Sequence, residues 1–198
     1  IQDSSGATAS AQLTVTVTGV NDAPSIESEP PAQSDFIEDA VATLTASGLV
    51  TFHDVDIHDS HDVVATLAHV ALSDNAFIPP PLHQALQHAL SVAVSDATYG
   101  DGSGAFQWNF SLDNALVQPL AEGQVLTATY FVNVTDVSGA TVIEQITVTI
   151  AGINDAPFLT NVIAQGFVNE VQDGAEGENE AALSTTGLVL FEEIDQTD

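Results

Sequence analysis

The chain has 198 residues, of which 28 are Asp or Glu and none is Lys or Arg, so its formal charge at pH 7 is −28. This charge excludes nucleic acids and anionic membranes as favourable partners, because like charges repel. Apolar residues make up 44% of the chain, which is too many for a disordered acidic segment and enough for a packed core. Cysteine is absent, so disulfides cannot hold the fold together.

An internal repeat defines the organisation of the chain. Residues 13–24, LTVTVTGVNDAP, recur as ITVTIAGINDAP at 146–157, an offset of 133 residues. Downstream, ASGLVTFHDVDIHD at 46–59 matches TTGLVLFEEIDQTD at 185–198 with an offset of 139. We therefore expect a segment of a longer tandem array with three parts: the C-terminal strand and linker of one repeat at 1–23, a complete repeat at 24–156, and the N-terminal part of a third at 157–198.

Within the complete repeat, two periodicities predict the secondary structure. The segment PPPLHQALQHAL (79–90) opens with prolines and has apolar residues at helical spacing, which predicts one short helix across an end of the fold. Apolar and polar residues alternate along 106–112, 126–134 and 146–150, and this period of two predicts half-buried strands. Turn sequences YGDGSG and DVSG separate the strands. The expected fold is all-β, an antiparallel β-sandwich with Greek-key connections.

The sequence also resembles a known family. Residues 99–157, which begin YGDGSGAFQWNFSLDNALVQPLAEGQ, resemble a VCBS repeat, a cadherin-like module of giant bacterial surface proteins and secreted adhesins. The Phe-x-Asp-x-Asp segment within 46–62 shares the likeness, whereas 63–95 diverges from it. Gly-x-Asn-Asp-Ala-Pro, present twice, is similar to the linker between cadherin domains. The resemblance implies an extracellular spacer or adhesive module in a tandem array, secreted by a bacterium, dependent on calcium and without enzymatic activity.

Strand direction predicts where the acidic residues meet. If successive strands run alternately down and up from the first linker, the loop HDVDIHDSHD (53–62) and the turn DVSG (136–139) both return to that linker. Oxygen-bearing side chains from three segments are then expected to converge there: Asn21, Asp22, Asp54, Asp56, Asp59 and Asp136.

The opposite end of the complete repeat is expected to hold a second acidic group. The first connection brings FIEDA toward the second linker, and the following repeat presents its own acids, with Glu193 in the place of Asp54. The expected group is Glu38, Asp39, Asn154, Asp155, Asp195 and Asp198. Carboxylates gathered in this way repel one another unless a cation lies between them, and six to eight hard oxygen ligands favour Ca²⁺. The alternative interpretation is that these acids are solvated turn residues.

Other interpretations of the sequence are open at this point. His53, His58 and His61 could bind zinc, although the second copy has Glu192 and Thr197 in place of the first two. Aromatic residues together with the divergent segment 63–95 could bind a carbohydrate or protein: Tyr99, Trp108 and Tyr130. Residues 1–20 of one molecule could complete the sheet of 157–198 in another and build a fibre by strand exchange.

Nothing in the sequence indicates catalysis. The chain has no Cys nucleophile, no Lys base, no Arg and no Gly-rich phosphate loop before a helix. We therefore predict a non-catalytic extracellular structural repeat, a calcium-rigidified stalk or fibre segment of a large bacterial surface adhesin or biofilm matrix protein. Its expected partners are neighbouring repeats of the same chain, and the alternatives are like chains in a fibre or a glycan or surface target.

Overall fold

The computed structural model describes residues 1–28, 32–163, 165–169, 173–174, 176 and 184–195. This part of the chain contains ten strands and one α-helix. The strands are β1 (Ser25–Ile26), β2 (Ala32–Ile37), β3 (Thr43–His53), β4 (His61–Leu72), β5 (Leu90–Asp96), β6 (Ser103–Asp113), β7 (Val125–Asp136), β8 (Thr141–Ala151), β9 (Phe158–Ile163) and β10 (Leu188–Glu192). The helix, α1 (Pro80–Ala89), lies between β4 and β5.

The first eight strands form two four-stranded sheets that pack face to face. The strand orders are β1-β3-β6-β5 and β2-β8-β7-β4. The connections from β3 to β4 and from β6 to β7 cross between the sheets, whereas β7 and β8 pair directly. The predicted Greek-key β-sandwich is therefore confirmed. Strands β9 and β10 form a separate antiparallel pair.

The first edge of the sandwich is divided between the two sheets, which simple alternation of strand direction does not predict. Strand β1 pairs antiparallel with β3, whereas β2 pairs in parallel with β8. The sequence between the two strands includes Pro30 and Pro31, which carry no backbone N–H and cannot extend a ladder. The chain therefore contributes one short strand to each sheet, and the other strand pairs in the sandwich are antiparallel.

The core fills the space between the sheets with the apolar residues that the alternation predicts. Strands β6 and β7 bury every second side chain, including Trp108 and Tyr130. Phe110 contacts the opposite sheet, with ring centroids 5.7 Å from Phe36 and 6.4 Å from Tyr130. Aromatic pairs at such distances add to the free energy gained from burial. The interior is an ordinary apolar core, and none of the predicted metal ligands belongs to it.

The predicted short helix is present as α1, which connects β4 and β5, the edge strands of the two sheets. Its ten residues bury Leu82, Leu86 and Ala89, and two prolines occupy its first turn. The Tyr130 hydroxyl donates a 2.8 Å hydrogen bond to the Leu86 carbonyl, which ties the helix to β7. Among the described residues, no helix has the length and apolar character needed to cross a bilayer.

The internal repeat is also visible in the strand register. Ser25 pairs with His53 in the complete repeat, and Phe158 pairs with Glu192 at the corresponding sequence positions. Because the same two segments pair in the same register twice, β9 and β10 are the structural counterparts of β1 and β3. The repeat boundaries at 23 and 156 remain predictions.

Gly48 offers a test of the packing. A Cβ placed on Gly48 would lie 2.6 Å from the Trp108 Nε1 atom, so a larger residue must displace the indole ring. We expect Gly48→Ala to lower the free energy of unfolding by about 1–3 kcal/mol in urea titrations, the usual cost of overpacking. Gly19→Ala is the control, since its added Cβ would meet nothing within 4 Å. Equal unfolding midpoints for the two variants would contradict the packing.

Candidate metal centres

The acidic residues lie at the two ends of the sandwich. The loop after β3 and the turn after β7 meet the first linker, and the loop after β2 meets the second linker. The first junction comprises Asn21, Asp22, Asp54, Asp56, Asp59 and Asp136. The second junction comprises Glu38, Asp39, Asn154, Asp155, Glu193 and Asp195. Asp198, predicted for the second junction, lies outside the described residues.

Three carboxylates converge at the first junction. One oxygen each from Asp54, Asp59 and Asp136 lies within 4.8 Å of the other two. Asp54 is fully buried and Asp136 is 5% exposed. Like charges this close repel strongly where water is excluded, and the chain has no Lys or Arg to neutralise them. The set of hard oxygen donors therefore fits a divalent cation such as Ca²⁺.

The linker is held by two other predicted ligands. The Asn21 side-chain amide donates to Asp136 Oδ2 at 2.9 Å, and the Asp22 backbone N–H donates to Asp56 Oδ2 at 2.7 Å. The Asp22 side chain is exposed. The structure thus brings three of the six predicted residues together, uses Asn21 and Asp56 to fix the linker against them, and leaves the Asp22 carboxylate at the surface.

A local turn orients Asp136. Its Oδ1 atom accepts hydrogen bonds from the backbone N–H groups of Ser138 and Ala140, at 2.8 and 2.9 Å. Asp3, the equivalent residue of the preceding repeat, accepts two backbone hydrogen bonds in the same way. The Asn21 amide and the backbone N–H groups hold the pKa of Asp136 below its ordinary value. Asp136 is therefore kept as an anion whose Oδ2 atom faces the linker.

The loop between β5 and β6 holds the backbone of Asp54 and Asp59, a role that no pattern in the sequence predicts. The Thr98 hydroxyl donates to the Asp59 carbonyl at 3.1 Å, and Thr98 is fully buried. The Asp54 N–H donates to the Gly102 carbonyl at 2.8 Å. The sequence shows only a Thr before the turn YGDGSG, and because residues 98 and 59 are far apart along the chain, no local pattern predicts their contact.

The histidines of the zinc alternative have separate partners. His61 Nε2 lies 2.9 Å from Asp54 Oδ2, and both side chains are buried. The His58 ring packs against Tyr99, with centroids 5.7 Å apart. In the described part of the chain, no three metal-binding side chains that include a histidine lie within 4.8 Å of one another. His61 thus contacts Asp54 but is not a member of the group of three carboxylates.

The second junction contains buried carboxylate oxygens that lack hydrogen-bond partners. Glu38 is 1% exposed, and its Oε1 atom accepts the Ile153 N–H at 2.7 Å, whereas Oε2 has no partner. Asp195 is 4% exposed, and Asp195 Oδ1 and Asp155 Oδ2 are buried and also lack partners. An unpaired buried anion costs several kcal/mol unless a proton or a cation compensates it.

The pKa shifts at the second junction also indicate that its buried carboxylates need a proton or a cation. The pKa of Glu38 is raised to about 7, mainly by burial; the Ile153 N–H opposes this rise, and the negative charges of Asp155, Asp39 and Asp195 add to it. Burial also raises the pKa of Asp155, again with contributions from Asp39 and Asp195. Without a cation, the junction therefore retains protons that isolated carboxyl groups would release.

The linker makes the same contact at both junctions. The Asp155 N–H donates to Asp195 Oδ2 at 3.0 Å, as the Asp22 N–H donates to Asp56 Oδ2 at the first junction. Asp195 thus occupies the position of Asp56, one linker later. A contact that recurs in two copies belongs to the repeat unit and not to one accidental loop conformation.

Glu193 takes the position of Asp54. Its Oε1 atom accepts the Asp195 N–H at 3.3 Å, as Asp54 Oδ1 accepts the Asp56 N–H at 2.8 Å. The two junctions differ in how tightly their acids are grouped, since within the described residues only the first has three carboxylates within 4.8 Å.

The aromatic residues of the ligand-binding alternative do not share a surface. Trp108 is 4% exposed and Tyr130 is 1% exposed, and both belong to the core. Tyr99 is 70% exposed and packs against His58 at the first junction. The three rings therefore do not form one platform on which a sugar could stack.

Comparison with known proteins gives no family. No family profile matches the chain, and no curated protein matches it. The VCBS resemblance therefore remains a prediction.

Similar solved structures include two fimbrial subunits from Escherichia coli. One is the CooA pilin subunit of enterotoxigenic strains, with a TM-score of 0.42 and 9% identity over 66% of this chain and 99% of that chain. The other is AggA, the major subunit of aggregative adherence fimbriae type I. Its TM-score is 0.39, with 10% identity over 69% of this chain and 99% of that chain. The cadherin-like domains 1 to 4 of zebrafish RET give a TM-score of 0.34, with 11% identity over 67% of this chain and 27% of that chain. At these scores the likeness is distant and says nothing of a shared ligand.

The buried Glu38 predicts a pH dependence in calcium-free protein. Its pKa is about 7 in the folded chain and 4.5 in an ordinary glutamate, so the folded state binds the extra proton between these values. The free energy of unfolding is therefore expected to fall as pH rises from about 4.5 to about 7. In chelator, Glu38→Gln should flatten this fall in urea titrations. The exposed Glu122→Gln is the control, and parallel curves for wild type and Glu38→Gln would contradict the assignment.

Proposed function

We propose that the chain is a non-catalytic structural repeat of an extracellular bacterial surface protein, and that calcium bound at its junctions makes it a rigid stalk or fibre segment. One observation carries this proposal. Asp54 and Asp59 from the loop between β3 and β4 meet Asp136 from the end of β7 within 4.8 Å, largely out of water, with no Lys or Arg in the chain to pair with them. Such a group is stable as three anions only around a cation.

The donor set favours calcium over other divalent ions. The converging side chains are carboxylates, with an amide and backbone carbonyls nearby, and all of these are hard oxygen ligands. Calcium accepts six to eight such oxygens in irregular geometry, whereas magnesium requires a near-ideal octahedron. Zinc prefers nitrogen and sulfur donors, and the chain has no cysteine.

The second junction supports a mechanical role. Glu38 lies in the complete repeat, Asp155 in the linker, and Asp195 beside β10, so a bound cation would join three parts of the chain. Because Asp155 already contacts Asp195 through its backbone, the ion would close a ring of contacts around the linker. A linker held at both sides cannot swing, and repeats joined in this way would project as a stiff rod.

The composition supports an extracellular setting. Calcium sites in extracellular modules commonly bind with dissociation constants of about 10⁻⁴–10⁻³ M, which suits a medium rich in this ion. Neutralisation by bound calcium also relieves the self-repulsion of a chain that carries a formal charge of −28. The VCBS resemblance is consistent with this setting and with neighbouring repeats as the main partners.

Replacement of one carboxylate should change the stability of the calcium-free protein and of the calcium-bound protein in opposite directions. In chelator, Asp59→Asn is expected to leave the unfolding midpoint unchanged or raise it, because one repelling charge is removed. Calcium at about 100 times its dissociation constant should raise the midpoint of the unaltered chain by about 5–10 °C, and much less in the variant. Asp62→Asn, on the exposed side of β4, is the matched control. Equal unfolding midpoints with and without calcium in the unaltered chain would contradict the proposal.

Rigidity at the linker can be measured directly, because the chain has no cysteine to interfere with labelling. Spin labels at the exposed positions Ser91→Cys and Thr160→Cys report the distance between the complete repeat and β9. We expect a narrow distance distribution in calcium and a broad one in chelator.

A second label pair separates linker motion from general loosening of the fold. Ser91→Cys with Gln145→Cys places both exposed labels within the complete repeat, and its distribution should not depend on calcium. If the pair that spans the linker is equally broad with and without calcium, the ion does not stiffen the junction.

A further inference from the structure

Two neutral amides hold Asp39 at the second junction. Asp39 Oδ1 accepts a 2.5 Å hydrogen bond from the Gln118 side-chain amide and a 3.4 Å hydrogen bond from that of Asn114. The Asp39 backbone N–H donates to Asn114 Oδ1 at 3.3 Å. Asp39 has a φ of 61°, a left-handed conformation that residues other than glycine rarely adopt. Asn114 therefore forms hydrogen bonds with both the backbone and the side chain of Asp39, which has an unusual backbone conformation.

The amides come from a segment that is itself anchored. Asn114 is buried at 7% exposure and begins a short 3-10 helix, Asn114–Leu116. Asp113 caps this helix by accepting the Ala115 N–H at 3.0 Å, and the Asn114 N–H donates to the Ala42 carbonyl at 3.1 Å. The connection from β6 to β7 thus presents its amides to the loop after β2 from a fixed position.

Asp39 also belongs to the acidic group. Its carboxylate lies within hydrogen-bonding range of the Asp155 carboxylate, and it adds to the negative charge around Glu38. Both amides bind Oδ1, so Oδ2 is the oxygen that they leave for a cation. The buried oxygens Glu38 Oε2, Asp155 Oδ2 and Asp195 Oδ1, which lack partners, lie in the same junction.

We propose that Asn114 and Gln118 are positioning residues that aim the Asp39 carboxylate at the cation of the second junction. The inference rests on the proposed function, since it presumes that calcium binds there. Neutral amides suit this role because they orient a carboxylate without cancelling its charge, whereas Lys or Arg would compete with the metal. Partners of this kind behind a ligand commonly raise metal affinity, and their loss weakens binding.

Calcium titration calorimetry of the full chain tests the proposal. The background carries Asp136→Asn, which disables the first junction, so that the heat reports the second junction alone. Gln118→Ala is expected to weaken calcium binding about tenfold there, in line with the loss of a supporting partner. The control is Gln33→Ala, which removes a Gln amide that donates to Asp35 Oδ1 at 3.0 Å on β2, away from both junctions. This control should leave the affinity unchanged.

A double-mutant cycle distinguishes positioning from general stabilisation. If Gln118 acts through Asp39, then Gln118→Ala should cause no further loss once Asp39→Asn is present. The unfolding midpoint in chelator should be the same with and without Gln118→Ala. Unchanged affinity in Gln118→Ala, or an equal loss in the Asp39→Asn background, would overturn the positioning role and leave calcium binding intact. A chain that binds no calcium at either junction would overturn both proposals.

Discussion

Repulsion between carboxylates that pack together without Lys or Arg is the constraint on which the rest of this structure depends. The sandwich core is apolar and needs no special explanation, so the charge is carried by the surface and the two ends. At those ends Asp54, Asp136, Glu38 and Asp195 are removed from water, which is where uncompensated charge costs most. Among the described residues, the side chains that contact these acids are amides and an imidazole, together with backbone N–H groups. In the proposed function, a cation from outside the chain supplies the compensating charge.

The junction is a property of the repeat rather than of one loop. Backbone contacts from the linker to Asp56 and to Asp195 recur at equivalent positions, and the turn around Asp136 recurs around Asp3. Local hydrogen bonds thus orient Asp56, Asp136 and Asp195 without an ion, and this preorganisation would lower the entropic cost of assembling an ion site. At the second junction the acids before and after the linker act on one another electrostatically, so an ion bound there would couple to the geometry of neighbouring repeats.

Much of the fold follows from short-range patterns. The alternation along β6 and β7, the helical spacing of α1 and the direction of successive strands each depend on a few neighbouring residues, and they place the acidic loops at the correct ends. Contacts between distant segments carry no such period. Thr98 supports residue 59, and Asn114 supports residue 39, only because the sandwich brings these loops together. Likewise, Asp56 and Asp59 look equivalent in sequence, but the first binds the linker backbone and the second faces Asp54 and Asp136.

The most direct measurement is an anomalous-difference map from crystals of the chain grown in calcium. The structure predicts a peak between Asp54, Asp59 and Asp136, and a second beside Glu38, Asp155 and Asp195, with carboxylate oxygens at 2.3–2.6 Å from each ion, roughly the range for Ca²⁺. Peaks at other places, or a map without peaks in which these carboxylates point separately into water, would contradict the account.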